Sequence, residues 1–79
     1  MSNESPEFRP FETRLKIGQK VRVQRTNGEI EEDWHIHLLE QLDVHHNGKL
    51  EDVAVCIKDT PDGPIRRIIL IGELERLNP

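Results

Sequence analysis

Seventy-nine residues with a net charge of −4 make one small domain, and because 34% are hydrophobic against 33% charged, its core must be drawn from few side chains. A chain this short buries only about 60% of the surface it exposes when unfolded, which leaves no room for a separate catalytic lobe. The longest aliphatic run, Ile68 to Ile71, falls far below the roughly 20 residues of a membrane-spanning helix, and the single cysteine, Cys56, excludes an internal disulfide framework.

Residues 1–13 hold Ser2, Asn3, Ser5, Pro6 and Pro10 without periodicity and are read as a flexible tail, with Phe8 and Phe11 spaced to dock on the domain that follows over 14–79. No apolar stretch of a secretory signal stands in residues 1–15, so a cytoplasmic, reducing location is expected.

A first strand is predicted over about 19–25, where Val21 and Val23 point to one face and Lys20, Arg22 and Gln24 to the other. Asn27-Gly28 is the signature of a type I′ hairpin turn, in which both central residues take positive φ. The second strand begins at about Glu29 and places Ile30, Glu32, Trp34, Ile36 and Leu38 on one face. Glu32 breaks that apolar row, and a bulge between Glu31 and Asp33 would take it out of the core, where an unpaired carboxylate is expensive.

Leu38, Leu39, Leu42 and Val44 fit helical as well as strand spacing; continuation of the strand to about Asp43 is favoured, with His45-His46-Asn47-Gly48 turning the chain. Leu50 to Lys58 reads as the third strand, Val53, Val55 and Ile57 on one face and Ala54 and Cys56 on the other. Thr60-Pro61-Asp62-Gly63-Pro64 is a turn built on a preset proline φ and a permissive glycine. A fourth strand over about Ile65 to Ile71 is apolar on both faces, so either the closing segment or another subunit must cover its outer face, and a monomer or a homodimer satisfies this. Ile71, Leu74 and Leu77, at spacings of three, predict a short 3₁₀ or α turn across an open end.

Ile17-Gly18-Gln19-Lys20-Val21-Arg22-Val23, the glycine-containing turn, the acidic stretch ending in Trp34 and the strands beyond it resemble the small SH3-like barrels, including the Tudor and KOW-type groups. The resemblance covers most of residues 15–77 and implies an all-β barrel of about five short antiparallel strands with a short C-terminal 3₁₀ or α turn. It carries no single function, because this architecture hosts peptide, RNA, modified-lysine and structural roles. A methyl-lysine cage or a proline-peptide groove needs several aromatic faces, and the barrel region offers Trp34 alone.

The sharpest chemical feature is histidine: His35 and His37 are expected to project from the same side of the second strand, and His45 and His46 stand at the next turn, so imidazoles could converge on a metal ion or sense pH. Residues 9–25 sum to +5 and 26–52 to −7. Hairpin pairing would set Lys20, Arg22 and Arg25 across from Glu29 to Asp33, largely cancelling the contrast. No nucleophile with a base, acid–base pair or phosphate loop is present, and Cys56 has no neighbour that would activate it, so neither an enzyme nor a cofactor is expected. The basic residues Lys20, Arg22, Arg25, Arg66 and Arg67 lack interleaved aromatics, which disfavours a nucleic-acid partner. The expected role is a protein-interaction or accessory module contacting its partner through Trp34, Glu31, Asp33, Arg22 and Arg25, although a lone tryptophan among aliphatics is more often the packing centre of the core than an exposed anchor.

Overall fold

A computed structural model describes residues 13–79. Four strands, β1 (Lys20–Gln24), β2 (Ile30–Leu42), β3 (Glu51–Thr60) and β4 (Gly63–Leu70), are followed by one helix, α1 (Ile71–Leu77). They form a single antiparallel sheet in chain order, β1-β2-β3-β4. The protein is therefore mostly β, as expected, but the described residues hold four strands and β1 does not pair with β4, so the expected closed barrel of five is not what they form. The expected docking of Phe8 and Phe11, and all but the last residue of the proposed tail, lie outside the described residues.

The first turn differs from the expected type I′. Only Gly28 takes a positive φ, at 93°; the Gly28 N–H donates to the Arg25 carbonyl (2.9 Å) and the Arg25 N–H to the Glu29 carbonyl (2.8 Å). Three loop residues ending in a glycine of positive φ make the other common hairpin connection, a type I turn with a glycine bulge, which leaves Asn27 free of a strained conformation.

Two bulges set which side chains of β2 reach the core. The register runs from Val21↔Trp34 to Val23↔Glu31, so β2 carries an extra residue where Asp33 adopts φ 70°. This is the irregularity the misplaced Glu32 predicted. The second bulge was not anticipated: Ile36↔Cys56 is followed by Leu38↔Val55, making His37 the extra residue. A one-residue insertion sends all later side chains to the opposite faces, so Leu38 leaves the row of Trp34 and Ile36, and Leu39, paired with Ala54, joins it.

The inner face of the sheet is packed by Val21, Val23, Trp34, Ile36, Ala54, Cys56 and Ile69, closed over by Ile71 and Leu74 of α1 and by Leu15. Helix α1 forms because apolar residues recur three apart while Glu73 and Arg76 stand at the ends that suit their charges. Its capping residue, Asn78, matters more for β1. The Asn78 Oδ1 accepts the Arg22 N–H (2.8 Å) and its Nδ2 donates to the Arg22 carbonyl (3.1 Å) and to the Leu74 carbonyl (2.8 Å). One side-chain amide thus joins the helix end to the outer edge of β1 and satisfies backbone groups a further strand would otherwise have paired.

Candidate interaction surface

Of the residues the sequence nominated for partner contact, Trp34 is the packing centre: it is only 2% exposed. The first bulge places Glu31 on the inner face opposite Val23, where Trp34 Nε1 donates to its Oε1 (3.0 Å). Lys58 (3.7 Å) and Arg25 (3.5 Å) pair with the same carboxylate. The Trp34 hydrogen bond, followed by the charges of Lys58 and Arg25 and opposed by partial desolvation, holds Glu31 below the usual carboxylate range. Arg25 also meets Glu29 at 3.8 Å and Arg22 meets Glu32 at 4.0 Å, while Asp33 sits exposed at the bulge. Arg22 and Arg25 thus meet the acidic strand as expected, whereas Lys20 lies opposite His35 and Asp33 is in none of these pairs; the exposed pairs contribute little to stability.

The histidines are dispersed. His35 pairs in register with Lys20 on one side and Ile57 on the other, His37 is the inserted residue of the second bulge, and His45 and His46 lie on the exposed loop between β2 and β3. The expected common projection of His35 and His37 is lost because period two does not survive an insertion. Among the described residues no group of three or more His, Cys, Asp or Glu side chains is placed to hold a metal ion.

That loop is organised instead by Asp43. Its carboxylate accepts the N–H groups of Asn47 (2.9 Å) and Gly48 (2.8 Å), and these bonds, Gly48's the larger, keep Asp43 below the usual carboxylate range. Cys56 is buried between the sheet and α1, and burial pushes its thiol up to about 11, with Arg67 opposing only in part. The thiolate needed for nucleophilic work is thus scarce at neutral pH.

The surface that stands out is the outer face. Register aligns Leu38, Val55 and Ile68 across three strands, and next to them Glu40, Val53 and Leu70. Val53 and Val55, on β3, are buried, yet Ile68 is 51% exposed, Leu38 44% and Leu70 37%. The sequence question of what covers the doubly apolar β4 thus has a divided answer. Helix α1 covers the side bearing Ile69, while on the other side Ile68 and Leu70 stay exposed, with Val44 and His45 of the β2–β3 loop standing beside Val53. Beside this face a groove of about 210 Å³ runs along Ile68 to Leu70, between Val44 and His45 of the β2–β3 loop and Gln24 and Glu73. It is smaller than the roughly 300 Å³ at which small-molecule pockets begin.

The apolar character of Ile68 to Leu70 was legible as an excess; Leu38 was assigned inward because nothing at His37 signals a bulge. Comparison with protein-family models, with curated proteins and with solved structures finds no match. Among the described residues no helix is long and apolar enough to cross a membrane.

Proposed function

We propose that this protein is a non-catalytic protein-interaction module whose contact surface is the outer face of the sheet, centred on Leu38, Ile68 and Leu70. One observation carries the reading: an apolar row over three strands, Leu38, Val55 and Ile68, keeps its two outer members 44% and 51% exposed, and small soluble domains leave apolar patches exposed chiefly where another molecule docks. The polar rim fits this, with Glu40, Glu51 and Arg66 standing in register beside the apolar centre. The hairpin around Trp34, by contrast, is occupied with its own ion pairs and core packing.

The finer architectural reading is an SH3-like sheet left open. Support comes from the meander of four antiparallel strands, the short helix after β4, and Asn78 occupying the outer edge of β1, where a closing strand would run. A reduced, buried Cys56 fits a cytoplasmic setting.

A photo-crosslinking amino acid placed at position 38, in cells of the native host, tests the function. Discrete adducts are expected from position 38 and none from position 32, which is exposed on the hairpin. Equal labelling at both positions, or none at either, would remove the outer face as a contact surface.

A further inference from the structure

Charge is unevenly placed around the apolar outer face. At one end of it the register sets Lys20, His35, Ile57 and Arg66 side by side across all four strands. These side chains share the face of Val55 and Ile68, because Ile57 and Arg66 each stand two residues from them along β3 and β4. At the opposite end stand Glu40, level with Val53 and Leu70, and Glu51, level with Leu42. The exposed apolar side chains thus lie between a basic row and an acidic border. From strand spacing, Lys20 and Arg66 are roughly 14 Å apart, and the basic row lies roughly 7 Å from the row of Leu38 and Ile68. Its cations also differ from those of the hairpin. Arg22 and Arg25 meet Glu29, Glu31 and Glu32, whereas among the described residues Lys20 and Arg66, both exposed, form no ion pair.

We infer that the outer face receives an amphipathic segment of another protein, one whose apolar side chains are flanked by carboxylates where it meets Lys20 and Arg66. This rests on the outer face being the contact surface, and it names the chemistry of the partner. Exposed Leu38, Ile68 and Leu70 offer apolar area to any occupant, so the selection falls to charge. Facing surfaces carry complementary potentials, and like charges brought together exclude wrong partners. A basic segment would set its cations against Lys20 and Arg66. A uniformly anionic surface, whether a phosphodiester backbone or a layer of lipid headgroups, would satisfy that row but press its remaining charge on Glu40 and Glu51. A segment acidic along one flank alone answers both ends of the face. Laid across the strands, it covers Leu38 together with Ile68 and brings its acids to the basic row beside them.

Selection from a random peptide library against the immobilised full chain reads the preference directly. Enriched peptides are expected to combine apolar residues with more Asp and Glu than Lys and Arg. Fluorescence anisotropy with one such peptide is expected to show affinity falling about tenfold or more in the Lys20→Glu, Arg66→Glu double variant, and likewise in Ile68→Lys. The same peptide with its acids replaced by lysine is expected to prefer the double variant to the native chain. All three substitutions lie at exposed positions, and circular dichroism melts check that the variants fold. Enriched peptides without an acidic excess, or binding indifferent to the double variant, overturn the inference. So does binding of the native chain to phosphatidylserine vesicles that the double variant loses, which makes a membrane surface the occupant. Self-association of the native chain that Ile68→Lys abolishes overturns it in favour of a second copy. Peptides that need Ile68 but ignore Lys20 and Arg66, or no enriched peptide while position 38 still yields adducts, would overturn the acidic flank and leave the contact face standing; neither peptides nor adducts would remove the two together.

Discussion

Replacing Asn78 with alanine should loosen the molecule where the last residues fasten the edge of β1. The substitution removes three side-chain hydrogen bonds, two to Arg22 and one to the Leu74 carbonyl, while leaving the backbone N–H of residue 78 free to keep its own bonds to α1. At about 0.5 to 1.5 kcal/mol each, the bonds could sum to several kcal/mol, but the two to Arg22 are exposed and water replaces them in part. A loss of about 1.5 kcal/mol is therefore expected, near the lower end of that range. In a domain of this size each kcal/mol moves the thermal midpoint by roughly 4 to 8 °C, so the variant should melt roughly 6 to 12 °C lower. Circular dichroism melts measure this directly, and amide exchange at Arg22 should accelerate in the variant with little change at Val55 in the centre of the sheet. A midpoint shift below about 2 °C, equivalent to less than half a kcal/mol, would show that the amide does not fasten this edge.

Leu74, fully buried beneath the sheet, should cost about 2 to 5 kcal/mol on truncation to alanine, read as a lower urea midpoint; an unchanged midpoint would mean α1 is not docked as described. The emission of Trp34 should be blue-shifted and resistant to acrylamide, because the indole is buried against Val21 and Ile36, and a red-shifted, readily quenched signal would contradict that placement. Glu31 and Asp43 both have carboxyls held below their ordinary values in the folded state, so their stabilising contribution is present above those values and is lost as pH falls through the lowered ones. The Glu31→Gln, Asp43→Asn double variant should accordingly be less stable than wild type at neutral pH and converge with it in acid, and a constant difference across the acid limb would refute the assignment. Cys56, with a thiol near 11 and no solvent access, should react with a thiol reagent at neutral pH only on unfolding; rapid stoichiometric labelling of the native protein would count against its burial.

Much of the sheet was legible because the physics that specifies it is local. Alternation at Val21 and Val23, the glycine turns and the proline turn at Thr60 to Gly63 place the four strands close to where they lie, and the ambiguous Leu38 to Leu42 stretch is strand, as favoured. The apolar triplet Ile71, Leu74 and Leu77 likewise marks α1. The bulge at Asp33 could be inferred from a carboxylate in the wrong place. Its counterpart at His37 could not, since a histidine is tolerated on either face, and that one insertion moved Leu38 outward and separated His37 from His35. Closure also escaped the sequence: nothing local distinguishes a β1 edge paired with a strand from one satisfied by the Asn78 amide, which acts across 56 residues. The candidate site was half visible, as an apolar excess at Ile68 to Ile71, while its location on the outer face depended on the unsignalled bulge.

Residue-resolved amide hydrogen exchange in dilute solution tests most directly whether Asn78 fastens the β1 edge while the β4 edge stays free. The account predicts that Arg22 is protected and that alternate amides between Arg66 and Leu70, those pointing away from β3, exchange quickly in dilute solution. Uniform protection of Arg66 to Leu70 in dilute solution, or fast exchange at Arg22, would contradict it.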